Sequence, residues 1–136
     1  MNKFLSVLLL FLLLACSASV THNNASIHFN QTEHDFGTLP LKKETSFSFE
    51  FSNPGETALV IYNVTTSCGC TAAEWTKIPV KSGKTGYINV KYDAAFPGVF
   101  NKEITVHYNG TDSPVILQIK GEVQYPDEMT GNDEEK

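Results

Sequence analysis

The residues of this chain with the most chemical potential are its three cysteines: Cys16, and the close pair in Thr66-Ser67-Cys68-Gly69-Cys70-Thr71. Cysteines two positions apart on an extended chain project from one face, with Cα atoms about 6.5–7 Å apart, at the long end of what a disulfide spans. Gly69 can take dihedrals that draw them closer. As a staple the bond is weak, because the loop-entropy relation gives about 1.6 kcal/mol for a three-residue loop against ~3 for fifteen. In an oxidising compartment such a bond suits thiol–disulfide exchange. Reduced, two thiolates supply half of a tetrahedral zinc site or much of a copper(I) site, with His34 and His107 as candidates for the missing ligands. Three roles for Cys68 and Cys70 stay open: closing a loop, exchanging electrons, or holding copper or zinc.

The other chemical-looking run is His34-Asp35-Phe36-Gly37. It contains the letters of the kinase metal motif, without the glycine loop, catalytic loop or chain length a kinase needs. A catalytic His–Asp pair requires a nucleophile, and no Gly-x-Ser-x-Gly elbow occurs. The run reads instead as the start of a strand. Phe36 faces the core, Gly37 opens a turn, and Asp35 bonds nearby backbone. No catalytic residue is expected, and the chain is read as non-enzymatic.

Cys16 has a different setting. Met1-Asn2-Lys3 begins the chain with one positive charge, and an apolar run from Phe4 to Ala15 follows, broken only by Ser6. At about twelve residues the run suits a signal-peptide core and falls short of the ~20 that span a bilayer. It ends Leu13-Leu14-Ala15-Cys16, which looks like the lipobox at which bacterial lipoprotein precursors are cut before a cysteine. The expectation is removal of residues 1–15 and lipidation of Cys16, whose acyl chains would hold the domain stably on a membrane. Ser17 lacks the Asp that commonly marks inner-membrane retention, so the expected address is the outer membrane, facing the periplasm.

The chain carries 10 basic residues, all lysine, against 15 acidic ones, for a net charge of −5. Loss of Lys3 with the leader takes this to −6. An acidic chain without arginine lacks both the phosphate-neutralising patch and the bidentate fork of a nucleic-acid binder. The same deficit excludes a polybasic membrane surface and leaves the lipid as the expected membrane contact.

These residues need a frame, and the pattern of the remaining chain has period two. Phe47, Phe49 and Phe51 alternate with Ser46, Ser48, Glu50 and Ser52. Ile88, Val90 and Tyr92, then Ile104 and Val106, then Val115, Leu117 and Ile119 repeat the alternation. Each run reads as a half-buried strand. Ala58 to Tyr62 is apolar on both faces and reads as a more central strand. Asn53-Pro54-Gly55-Glu56 has the Pro and Gly of a type II turn, and Ser82-Gly83, Phe96-Pro97-Gly98 and Asn109-Gly110 mark further reversals. The expected fold is all-β: an immunoglobulin-like antiparallel β-sandwich of about seven to eight strands over residues 26–124. Residues 16–25 read as the lipidated cysteine and a flexible tether, and residues 125–136 as an acidic disordered tail.

Read together, Phe29, His34-Asp35-Phe36-Gly37, the Phe-x-Phe-x-Phe strand into Asn53-Pro54-Gly55, Leu59-Val60-Ile61, Ser67-Cys68-Gly69-Cys70-Thr71, and Gly98-x-Phe100-x-Lys102 before Ile119-Lys120-Gly121-Glu122-Val123 form a series. The series resembles a widespread bacterial family of unknown function found in envelope proteins, over roughly residues 27–123. Ser82-Gly83 stands where that family usually has Pro-Gly. The resemblance implies an immunoglobulin-like domain related to major-sperm-protein, cilia-associated and pilus-chaperone folds, most of which bind or scaffold other proteins. It carries the family's cysteine site over to Cys68 and Cys70, and no catalytic role with it. The function expected is a lipid-anchored envelope module that binds another envelope protein, with thiol-redox or metal handling at Cys68 and Cys70 as the alternative.

Overall fold

The computed structural model describes residues 25–125. The leader, Cys16, the expected tether up to residue 24 and residues 126–136 of the acidic tail lie outside the described residues. Eight strands follow in chain order: β1 (His28–Phe29), β2 (Glu33–Pro40), β3 (Thr45–Ser52), β4 (Ile61–Thr66), β5 (Thr71–Trp75), β6 (Thr85–Tyr92), β7 (Gly98–Tyr108) and β8 (Val115–Gln124). They form two four-stranded sheets, ordered β1-β3-β6-β5 and β2-β8-β7-β4.

The alternation that marked the strands also builds the core. Phe49, Phe51, Ile88, Val90, Ile104, Val106, Leu117 and Ile119 are buried between the sheets, while the serines and lysines between them face water. Burying one such side chain contributes roughly 1.5–3 kcal/mol, so this interleaved set is the main source of stability. All strand pairings are antiparallel except β2 with β8, which is parallel. The exception arises because β1 and β2 are consecutive pieces of one edge. The chain leaves one sheet after residue 30 and joins the other, keeping its direction.

Three local expectations are corrected. The run from Ala58 to Tyr62 is no central strand. Leu59 makes an isolated bridge to Val80, and β4 begins at Ile61 on the edge of its sheet with Tyr62 exposed. Leu59 and Ile61 are buried for packing, and the apolar run reflects a crossing segment. The turn after β3 is not type II, because Gly55 has no positive φ. Asn53 shapes it instead. Its buried side-chain amide donates to the carbonyls of Thr57 (2.8 Å) and Val80 (2.9 Å) and accepts from the Gly55 N–H (3.0 Å). Ala25, the last residue of the expected tether, is already buried, so the domain begins one residue early.

The sandwich has two dissimilar poles. At one, Ala25 meets Gly110, Ser26 donates to Asn53, and Asn109 is bonded to Ala58 and Val60. At the other, backbone bonds join Leu41 to Gln124, Lys42 to Ala94 and Asp93 to Cys70. Lys42 and Ala94, with φ of 59° and 49°, are non-glycine residues in the left-handed region, and they are bonded to each other. Such conformations cost about 1–3 kcal/mol each and persist only where the surroundings enforce them. Phe96 and Val99 are exposed on this second pole.

Candidate functional site

Cys68 and Cys70 sit in the turn that carries the chain from β4 in one sheet to β5 in the other. Ser67 is pinned to β7, its N–H donating to Glu103 O (3.0 Å) and its hydroxyl accepting from Glu103 N–H (3.1 Å). The Thr66 hydroxyl lies between the carbonyls of Cys68 (3.1 Å) and Thr71 (2.9 Å), and its one proton is shared between them. The two sulfurs form a disulfide with Cα atoms 5.4 Å apart, well inside the span of an extended three-residue segment. The contraction comes from the turn itself. Gly69 has no positive φ, and a Cβ there would meet nothing, so glycine is not sterically required.

Both cysteines are half-buried. Cys70 packs against the core, and its carbonyl accepts from Asp93 N–H (3.2 Å), which ties the turn to the end of β6. The buried Thr71 hydroxyl lies 3.5 Å from Cys68 Sγ and 4.0 Å from Cys70 Sγ. It can donate to a thiolate when the bond is opened. Neither histidine joins the sulfurs as a metal site would require. His34 is stacked on Phe47, and His107 lies on β7 opposite Asn63. Among the described residues no three His, Cys, Asp or Glu side chains stand close enough to hold a metal ion.

The His34-Asp35-Phe36-Gly37 run serves a different end. Asp35 Oδ1 accepts from Gly37 N–H at 2.8 Å, and Gly37 adopts φ +64°. The expected turn is therefore a β-bulge inside β2, where the register with β8 shifts between Asp35 and Thr38. Phe36 packs against the core edge as expected. The His34 ring lies 3.6 Å from Phe47 and nearly parallel to it, with Phe36 edge-on at 4.6 Å. Burial in this stack lowers the His34 pKa from 6.5, and neighbouring Asp35 works in the opposite direction.

The bulge also meets the two glycine-bearing runs near the C-terminal end. A Cβ on Gly121 would stand 2.7 Å from Gly37 O and 2.9 Å from the Phe100 ring, and Phe100 stacks on Tyr92 at 4.1 Å. Gly121 is needed because two backbones and an aromatic ring converge on it. The convergence leaves a shallow hollow of about 420 Å³ lined by Asp35, Thr38, Val99, Lys120 and Glu122. Lys120 is already bonded to Glu33, which raises its pKa. Nothing in the motif letters foretold this meeting; the signal was only the repeated isolated glycine inside strand patterns.

The family described as "Protein of unknown function (DUF1573)" matches residues 27–123. No curated protein matches. Among solved structures, a protein of unknown function from Porphyromonas gingivalis W83 is similar, with TM-score 0.67 and 20% identity over 76% of this chain. This chain spans about half (50%) of that protein's length. The ASH / PapD-like domain 7 of human CEP192 superposes with TM-score 0.64 and 9% identity, over 76% of this chain and 89% of that one. A Vibrio cholerae protease, VesB, superposes with TM-score 0.55 and 21% identity, over 74% of this chain and 32% of that one. At these identities the likeness shows the fold, an immunoglobulin-like sandwich of PapD-like type.

Proposed function

The chain belongs to the DUF1573 family, and from that premise we propose that it is a lipid-anchored, non-enzymatic binding module of the bacterial cell envelope. The observation that carries this reading is the polarity of the sandwich. The chain reaches the domain at Ala25, on the pole with Asn53 and Asn109. An acyl anchor at Cys16 would join the domain at that pole, while the disulfide turn, the Lys42–Ala94 contact and the exposed Phe96 and Val99 lie at the opposite one. Exposed apolar side chains on an enforced backbone suit a surface that another protein covers. The expected address is the outer membrane, facing the periplasm. Intact-mass measurement of the membrane-extracted protein is expected to give an N-terminal acylated Cys16, and any other mature N-terminus overturns the anchor. Crosslinking in intact envelopes is expected to return a reproducible protein partner; its consistent absence overturns the binding role.

A second reading rests on the disulfide. Its loop is three residues long, its sulfurs are half-buried, and Thr71 stands ready to donate to a thiolate. Exchange with a partner dithiol would reduce Cys68–Cys70 to two thiols while the partner closes its own disulfide. A reduction potential far below that of the periplasm would eliminate this reading.

A further inference from the structure

The flank opposite the disulfide turn contains an incomplete sheet edge. β1 is two residues long and pairs only with Phe51 and Ser52 of β3. The last bond on that side runs from Asn30 N–H to Glu50 O at 3.3 Å. Alternate residues of a strand present their N–H and C=O to the same side. Glu50 therefore fixes the orientation of Ser48 and Ser46, whose peptide groups also point outward, away from β6. Past residue 30 the chain has crossed to the other sheet, so among the described residues no strand lies beside Thr45–Phe49. Ser46 and Ser48 are exposed. The lane is about 17 Å long, room for five residues of an added strand.

The chemistry of the lane selects its occupant. Side chains opposite Phe47 share its inward face, so a central residue of the added strand would lie beside the half-buried His34–Phe47–Phe36 cluster, an aromatic surface that favours an apolar side chain. Residues opposite Ser46 and Ser48 face outward. The exposed Glu50 lies on that face, and the exposed Glu44 stands one residue ahead of β3, so carboxylates flank the lane at both ends. Lys91, across from Ser46 on β6, stands a strand further away.

A second copy fits poorly. Antiparallel pairing about Phe47 would set Glu44 against Glu50 of the other copy, where Asn30 already lies. Nor do the chain's own segments outside the described residues qualify, since 17–24 has no lysine and 126–136 has one, at its end.

We propose that the β3 edge from Thr45 to Phe49 is a docking lane for an extended segment of an envelope protein in which an apolar side chain lies between two basic ones. The proposal rests on the binding-module reading and names the partner's chemistry. Main-chain bonds to Ser46 and Ser48 supply affinity, and the Glu44–Glu50 frame supplies selectivity.

The test uses the full chain in detergent with two capped pentapeptides, Thr-Lys-Val-Lys-Thr and Thr-Glu-Val-Glu-Thr. The basic peptide is expected to slow amide exchange at Ser46 and Ser48 at least tenfold, and the acidic one to leave it unchanged. Ser48→Pro removes an outward N–H without touching the β6 ladder and is expected to weaken the basic peptide at least tenfold. Should that variant lose its fold, the charge-reversed pair Glu44→Lys with Glu50→Lys decides instead, and it is expected to prefer the acidic peptide. Equal response to both peptides, protection elsewhere, or self-association protecting the same amides overturns the proposal. Envelope crosslinks that persist in Ser48→Pro would overturn this lane while leaving the binding role standing; no partner for the parent chain would overturn the binding role itself.

Discussion

Strands β2 and β3 form neighbouring edges on one flank of the sandwich, in different sheets, and they treat their exposed peptide groups in opposite ways. β2 is interrupted by the Gly37 bulge, has no N–H at Pro40, and carries Glu33 and Asp35. These are the devices by which sheet edges avoid pairing with other chains. β3 from Thr45 to Phe49 is regular, uncharged and serine-lined, and among the described residues only the two of β1 pair along its far end. The protein guards one edge and leaves the adjoining one available, with the His34–Phe47 stack as the seam between them.

Proline substitutions should break this contrast most visibly. Ser48→Pro is expected to change the unfolding free energy little, because its N–H faces the side where no strand pairs with it among the described residues, and edge strands accept proline. Asn89→Pro on β6, paired on both sides, should cost about 3 kcal/mol or more in denaturant unfolding. Equal losses at the two positions would mean the β3 edge is occupied. Next in size, Gly121→Ala should cost about 1–3 kcal/mol by driving its methyl group into Gly37 O and the Phe100 ring, and it should raise exchange along β2 while sparing β3. A neutral result would show that the bulge does not depend on this close approach.

Smaller again is the disulfide on the opposite flank. Reduction, or Cys68→Ser with Cys70→Ser, is expected to cost about 1.6 kcal/mol and to leave the β3 lane unaltered. Loss of lane binding on reduction would couple the two flanks and favour the redox reading.

The smallest effect concerns pH. His34 has a folded-state pKa below 6.5, so the unfolded chain takes up its proton first on acidification. The stability tied to neutral His34 is complete above pH 6.5 and is lost as pH falls through the lower folded value. His34→Gln should remove that part of the slope in a thermal-unfolding series. An unchanged slope would detach the seam from His34.

The strands and most of their inward faces were legible because period-two alternation is a local property: Phe49 and Phe51, Ile88 and Val90, and Leu117 and Ile119 are buried as their spacing implies. Properties set by distant partners were not legible. Ala58 to Tyr62 has the composition of a central strand, yet Leu59 is held by Val80 and Ile61 starts an edge. Gly37 looked like a turn because a bulge and a turn draw on the same dihedral. Asn53 was visible only as a turn residue, since its partner Val80 lies far along the chain. The cysteine pair was readable as a self-contained site, but its contraction depends on Thr66, Ser67 and Asp93, which no spacing rule links. That β3 is unpaired on one side among the described residues depends on where β1 stops, a matter of three-dimensional crossing.

The most direct test places a photoreactive amino acid at Ser48 on the open edge and, separately, at Thr38 on the guarded one, in the full chain in intact envelopes. Both positions are exposed, so both probes reach solvent. A discrete crosslinked species from Ser48, with none from Thr38, is the predicted result. Crosslinks from Thr38 alone, equal patterns from both, or none from either would contradict the assignment of β3 as the edge the protein leaves for a partner.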